Sequence, residues 1–382
     1  MTSATIKQAL ASPNRGDIER GQSTVTPRLL FSLNRVRDNA EVFRALCERV
    51  FRPDGYEIYF PTKVAPSLQI VNCLRELGFG LEVINHSTAA MAHADPLTRT
   101  ILGGPAKTSA LIAWGFIQRN WTYVSCESLT DLREVNAVAA HHKSRVSVFL
   151  RVKATTKRRL GMSIEDARWS VTHSDLFPAL KLAGIHLHAG SNLSSREADL
   201  TLERMRMVAV DLAQNGMHIE VLNFGGGLPC IAASVAETER RLQGFSQLAD
   251  TVGTRVIVEP GRAIVGDAAE LITEVTDVRP VDRELTINSA AYIIHGPCNA
   301  DKFIIHQRLG EVERRRIEVV ARKEANYRIG GIWPAEGDSL WLSTPTPEFA
   351  IGDRIIFPQA GAYTLGFLNE LSFDELLPTI SS

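Results

Sequence analysis

Cysteine is scarce: five in 382 residues, scattered, with no two in a CxxC pair. That spacing excludes a zinc ribbon or a thioredoxin-type motif. An odd, sparse count fits a reducing compartment, so a cytoplasmic location is the expectation. Charge of one sign is also lacking, with 42 Lys and Arg against 43 Asp and Glu and a net charge of -1. Such a balance leaves no basic footprint for nucleic acid and no broad attraction to anionic membranes. The basic run Lys157-Arg158-Arg159 reads as a solvated loop. No apolar run is long enough to span a bilayer. The first 27 residues are polar, are interrupted by Pro13 and Pro27, and hold no apolar core of a signal peptide. Internal repeats and low-complexity tracts are absent, and no metal is expected.

What is present is ordinary for a globular chain: 45% apolar and 22% charged residues. The length suits a large domain with a smaller one. Eight short β-rich runs alternate with amphipathic stretches: Glu57–Phe60, Gly80–Val83, Thr100–Leu102, Thr122–Ser125, Ser147–Arg151, Gly184–His188, Val221–Phe224 and Arg255–Val258. Several are almost continuously apolar, as strands buried on both faces are. Between them, Ser67–Leu77, Ser128–Ala140 and Leu200–Gln214 repeat apolar residues at helical spacing. Strand and helix alternating eight times predict an α/β fold, a (β/α)8 barrel over residues 28–263. After about residue 264 helical periodicity gives way to short strands at Glu270–Val275, Leu285–Asn288, Ser339–Leu342 and Arg354–Phe357. Residues 264–382, joined by 1–27, are therefore expected to form a separate β domain.

Parallel barrel strands bring their carboxyl ends to one mouth, where barrel enzymes carry their active sites. The polar groups next to those ends are Lys63, Arg151, His186-Leu-His188-Ala-Gly-Ser191, Gly225-Gly226-Gly227 and Glu259-Pro-Gly261-Arg262. Each suits part of a phosphate-bearing aldehyde cofactor. A partly desolvated lysine loses its proton and forms an imine. A triple glycine lets backbone N–H groups approach a phosphate, and an arginine adds fixed donors. A carboxylate pairs with a pyridinium nitrogen and keeps the ring an electron sink. A histidine lies against the ring face. Taken singly, each residue has a plainer reading: a surface lysine, a loop, a carbonyl cap, a core histidine, a turn. Their joint placement at successive strand ends argues for a site.

In order and spacing, these segments resemble the fold-type III pyridoxal-phosphate decarboxylases, the ornithine, arginine and diaminopimelate decarboxylase group. The matching stretches are Tyr59–Lys63, Leu77–Val83, His188–Ser191, Asn223–Gly227, Glu259–Arg262 and Ala360–Thr364. The resemblance implies an alanine-racemase-like barrel with a C-terminal β domain. It implies pyridoxal 5'-phosphate as a Schiff base on Lys63, His188 stacked on its ring and Glu259 on its nitrogen. Ser191, Gly225, Gly226, Gly227, Gly261, Arg262 and Tyr363 are implied as phosphate contacts, and Arg151 as an arginine near the ring. It further implies a homodimer with shared active sites.

The substrate side departs from the family. The Gly-x-x-Cys-x-x-x-Asp motif reads Gly331-Ile-Trp-Pro334-Ala-Glu-Gly-Asp338, so Pro334 replaces the cysteine that returns a proton. Ala335 replaces an acidic residue that ornithine decarboxylases use for the distal amine, which counts against a simple diamine substrate. An Asp-Gly pair reads Ser289-Ala290, and Asn85 and Thr88 replace a serine and a glutamate. Asp301 and Asp338 are candidate substrate contacts, and Cys298 and His295 are candidate proton donors. The expectation is decarboxylation of an amino acid or an amino-acid conjugate, in siderophore or other specialised metabolism. The competing readings are a racemase, epimerase or decarboxylation-linked transaminase, and a non-catalytic homologue that binds protein partners.

Overall fold

The structure, a computed structural model, describes residues 26–93, 97–118, 121–155, 158–191, 193–292, 303–308, 315–320, 322–342, 349–365 and 379–381. Two compact units divide the chain, one over residues 40–263 and one formed by the stretches on either side.

The first unit is a closed barrel. Its strands are β2 (Tyr56–Pro61), β3 (Gly80–Val83), β4 (Thr100–Leu102), β5 (Tyr123–Cys126), β6 (Val146–Arg151), β7 (Leu180–His186), β8 (Val221–Asn223) and β9 (Arg255–Val258). Each pairs in parallel with the next, and β9 returns to β2 through Tyr56 beside Val256. The eight foreseen strands are these, with ends displaced by four residues at most. β3, β4 and β5 are buried at every position, which explains their lack of alternation.

The intervening helices begin where the sequence supplies caps. Ser128 accepts the Asp131 N–H at 3.1 Å to start the helix Leu129–His141. Ser194 and Glu197 form a reciprocal capping box ahead of Ser195–Gln214. Gly253, with φ 76°, ends Val235–Val252 in the left-handed conformation.

Tyr59, Ile101, Tyr123, Phe149, Ala183, Val221 and Ile257 fill the barrel interior as one buried cluster. Phe149 stacks on Tyr123 with ring centroids 4.6 Å apart. Phe149→Ala is expected to remove about 3–5 kcal/mol of stability, read by urea unfolding. A loss under about 1 kcal/mol would mean that the layer collapses to fill the space. At the amino end of the strands, Glu57 accepts from the Tyr59 hydroxyl at 2.9 Å, Arg99 at 2.9 Å and Arg255 at 2.8 Å. This polar plug lies at the end opposite the carboxyl mouth.

Among the described residues the second unit is a nine-stranded sheet. Strand β1 (Arg28–Ser32) pairs antiparallel with β10 (Ala269–Arg279), Arg28 opposite Ile272. This corrects the expectation that residues 28–39 belong to the barrel. The alternating burial of β1 serves a sheet with two unlike faces, and two side-chain contacts tie the start of the next helix to the same unit. Arg35 pairs with Asp267 at 2.6 Å, and Asn39 donates to the Ile264 carbonyl at 2.7 Å. Of the expected 1–27 segment, residues 1–25 lie outside the described residues, while Thr26 donates to Glu274 at 3.1 Å. Strands at Phe303–Gln307, Arg315–Glu318, Tyr327–Gly330 and Thr379–Ser381 were not foreseen. Among the described residues no helix is long and apolar enough to cross a membrane.

Candidate active site

Lys63 stands in the single helical turn Thr62–Val64, directly after β2. The Thr62 hydroxyl donates to the Glu82 carbonyl at 2.8 Å, which ties this turn to β3. The Lys63 ammonium pairs with Glu82 Oε2 at 2.7 Å. Glu82 itself is buried, whereas Lys63 keeps 37% side-chain exposure, so the pair is open to water only on the lysine side. Room for Glu82 comes from Gly103 on the neighbouring strand end, where a Cβ would collide with Glu82 Oε1.

Glu259 follows β9 and is buried. Burial and the nearby Glu82 charge push its carboxyl up to about 7. Asn223 Nδ2 donates to Glu259 Oε1 at 2.8 Å, and Asn223 Oδ1 accepts the Gly225 N–H at 2.8 Å. One asparagine thus aligns the carboxylate and the start of the triple glycine. The glycines are required by close approach. A Cβ at Gly225 would lie 2.8 Å from His188 Nδ1, at Gly226 2.8 Å from the Glu259 carbonyl oxygen, and at Gly227 2.7 Å from the Gly190 carbonyl oxygen. Gly225 and Gly227 also hold positive φ, 62° and 87°. Arg241 clamps this loop from behind, donating to the Gly227 carbonyl at 3.1 Å and the Leu193 carbonyl at 2.8 Å.

Two histidines line the β7 end. Burial, then the Lys63 and Arg151 charges, lower the His188 imidazole to about 3. Burial and Arg151 likewise hold His186 well below the usual histidine range. Both rings are therefore neutral at physiological pH. His186 Nδ1 shares a 2.8 Å hydrogen bond with the Ser125 hydroxyl. His186 Nε2 and His188 Nδ1 are buried polar atoms without a hydrogen-bond partner. Such orphans cost stability unless a bound group satisfies them.

Arg151, the last residue of β6, donates to Glu127 Oε1 at 2.5 Å. The Glu127 N–H donates to Asp131 at 2.9 Å, and Asp131 pairs with the fully buried Lys107 at 2.9 Å. The Arg151 guanidinium is thereby anchored through three elements. Arg158, expected in a solvated loop, has its guanidinium 3.1 Å from where a Gly190 Cβ would stand. It is exposed, but it also lowers His188, so it belongs beside the site.

The remaining expected residues fall into three groups. Gly261 and Arg262 stand with the barrel group: a Gly261 Cβ would meet Val64 at 2.6 Å and Pro61 at 3.0 Å, so the turn after Glu259 leans on the Lys63 turn. Arg262 is buried, and Ser191 follows Gly190 on the His188 loop. Tyr363 belongs to the sheet unit and holds a positive φ of 73°. His295, Cys298 and Asp301 lie outside the described residues. Asp338, read as a substrate contact, has a structural task instead. It is buried and its two oxygens accept the Tyr292 and Trp333 N–H groups, each at 2.8 Å.

Asn85 and Thr88, the apparent departures after β3, cap a helix. Asn85 Oδ1 accepts the Thr88 N–H at 2.9 Å, and Thr88 Oγ1 accepts the Ile84 N–H at 3.1 Å. Sequence reasoning gave no role to Glu82, Asn223, Glu127 or Lys107, and named His186 only as part of the polar stretch at the sixth strand's end. Glu82, His186 and Asn223 were legible as polar residues inside apolar strands. Glu127 and Lys107 lie in loops and carried no such signal.

The donor set fits a phosphorylated pyridine aldehyde: a lysine amine at the mouth, a buried carboxyl beside it, a glycine turn with close backbone approach, and two orphaned imidazole nitrogens. Known proteins agree. Residues 40–266 match the family described as pyridoxal-dependent decarboxylase, pyridoxal binding domain. The chain is 25% identical over 372 residues to the diaminopimelate decarboxylase of Aquifex aeolicus, covering 90% of this chain and 84% of that one. It is also 25% identical over 375 residues to that of Staphylococcus aureus, covering 90% and 85%. Among solved structures, diaminopimelate decarboxylase from Helicobacter pylori complexed with L-lysine superposes with a TM-score of 0.75 at 18% identity, covering 92% and 90%. The Paramecium bursaria Chlorella virus arginine decarboxylase bound to agmatine gives 0.72 at 14%, covering 92% and 96%. Likeness at that identity speaks for the shared fold, an alanine-racemase-like barrel with a sheet domain.

Proposed function

The chain belongs to the pyridoxal-dependent decarboxylases, and on that premise we propose that Lys63 carries the cofactor and that the substrate is an amino acid whose far end is not a lone ammonium. It is a pyridoxal-phosphate-dependent enzyme of amino-acid decarboxylation. The observation that carries the assignment of roles is the placement of Lys63 with Glu82 at 2.7 Å, in the electrostatic company of Glu259.

Pyridoxal phosphate, when bound, supplies the sink for the electron pair left on the substrate carbon as carbon dioxide departs. Lys63 provides the attaching amine. Glu259, held by Asn223, would pair with the ring nitrogen and keep it protonated. His188, neutral and packed on Gly225, presents its ring face without adding a charge. The Gly225 N–H is already committed to Asn223, so the phosphate would fall to the amides of Gly226 and Gly227, with Ser191, Gly261 and Arg262. Arg151, positioned by Glu127, would stand near the ring.

The substrate reading rests on the Gly331–Asp338 turn, fixed by the buried Asp338 carboxylate. It presents Ile332 and Trp333, both partly exposed apolar side chains, and no acid at Ala335 to receive a distal ammonium. Diaminopimelate, named for the curated relatives, and amino-acid conjugates of specialised metabolism both meet that condition. The two apolar residues also suit a homodimer in which this turn completes a second copy's site; light scattering should return twice the chain mass. A carbon dioxide release screen tests the substrate. Diaminopimelate or a conjugate should exceed ornithine, lysine and arginine in kcat/KM by on the order of 100-fold. A preference for ornithine or lysine would sink this reading.

A further inference from the structure

Decarboxylation leaves an electron pair on carbon, and the enzyme must return one proton there. Pro334, at the position where the resemblance expects an acid, has no proton to give. Of the groups at the barrel mouth, His188 and His186 are neutral, and guanidinium groups release no proton near neutrality. Glu259 is bonded to Asn223 and is assigned to the ring nitrogen.

We propose that the Lys63–Glu82 pair returns this proton, with Lys63 as the donor and Glu82 as the positioning residue that holds the amine in its charged form. This rests on the decarboxylation reading above. The bond between the substrate carbon and its carboxylate breaks, and carbon dioxide leaves. The electron pair that remains on the carbon takes a proton from the Lys63 ammonium, and the N–H pair returns to Lys63 nitrogen. The neutral amine then either recovers a proton from water or reattaches to the cofactor as the product amine departs. One solvent proton is consumed for each carbon dioxide, and no oxidant or reductant is required.

Three features of the site support this. The 2.7 Å contact places an acceptor oxygen directly on Lys63 Nζ. Gly103 leaves the space that the Glu82 carboxylate occupies, so the acid is built in rather than swung in. Exposure on the lysine side alone gives water a route to the proton donor while Glu82 stays dry. Charged and titratable groups around Lys63 include Glu82 on β3, Glu259 after β9, and His186 and His188 on and after β7, with Arg151 at the end of β6 acting on the same glutamate and histidines. Within that set Glu82 is in direct contact with Lys63, at 2.7 Å.

The test uses the full chain with Glu82→Gln and Glu82→Asp, and Cys298→Ala and His295→Gln as rivals. The first readout needs no turnover: pyridoxal phosphate is added to cofactor-free protein at fixed acidic pH, and covalent attachment is followed by absorbance. Without its carboxylate partner Lys63 should present more free amine, so Glu82→Gln should attach cofactor about tenfold faster than the unaltered chain, with Glu82→Asp near the unaltered rate. The second readout is the fate of substrate after carbon dioxide release. Misplaced protonation yields pyridoxamine phosphate and a carbonyl product in place of the amine. That fraction should rise about tenfold or more in Glu82→Gln and stay low in Glu82→Asp. An unchanged attachment rate overturns the pairing whatever the reaction proves to be. Faster attachment with an unchanged product ratio, or a raised ratio in Cys298→Ala or His295→Gln alone, overturns the proton return. No carbon dioxide from the unaltered chain overturns the decarboxylation reading, and the proton return with it.

Discussion

Lys63→Ala is expected to abolish covalent attachment of pyridoxal phosphate and to cut carbon dioxide release by on the order of 10,000-fold or more. On the proposed role of Lys63 the amine is the attaching group, so no neighbouring side chain should replace it. Lys107 also lies near the strand ends, but its side chain is 0% exposed and it is held by Asp131 and the Gly104 carbonyl. Lys63 is 37% exposed, so its truncation leaves no cavity in the barrel, and the far-ultraviolet circular dichroism should be unchanged. The absorption of lysine-linked cofactor should disappear while free cofactor still binds through the phosphate contacts. A Lys63→Ala protein that retains the linked absorption and turns over substrate would place the attachment elsewhere.

Glu259→Gln should produce the second large effect, and its sign depends on whether cofactor is present. In cofactor-free protein the carboxyl is pushed up to about 7 from an ordinary 4.5. A raised carboxyl contributes stability below its unfolded value and loses it as pH rises through the folded value. The loss, incurred between about pH 4.5 and 7, is about 3 kcal/mol at full burial. The amide introduced by the substitution still accepts from Asn223 and carries no charge. Cofactor-free Glu259→Gln should therefore exceed the unaltered chain in urea stability at about pH 8 and match it near pH 4. With cofactor the order should reverse, because the ring nitrogen loses its carboxylate, and activity should fall on the order of 100-fold. A stability difference that stays constant from about pH 4 to pH 8 would mean that Glu259 does not titrate in the folded protein.

The barrel was legible because its strands are buried on both faces and its helices carry their own caps. Gly80–Val83, Thr100–Leu102 and Arg255–Val258 match the expected bounds residue for residue. The sheet unit was less legible. Arg28–Ser32 lies almost the whole barrel away in sequence from its partner Ala269–Arg279, and no local pattern encodes such pairing. Strand-end position brought Lys63, Arg151, His188, Gly225 and Glu259 to notice, since the parallel barrel turns sequence position into shared space. What holds them was hidden. Glu82 sits mid-strand among apolar residues, and its function becomes visible only when Lys63 is found 2.7 Å away. Asp338 misled in the opposite direction, since a conspicuous acid in a turn proved to be committed to two backbone amides.

Purified protein loaded with pyridoxal phosphate is reduced with borohydride, digested and mapped by mass spectrometry. A single reduced cofactor adduct is expected, on the peptide containing Tyr59-Phe-Pro-Thr-Lys63. An adduct on Lys107 or another lysine, or no adduct from protein that binds the cofactor, would contradict it.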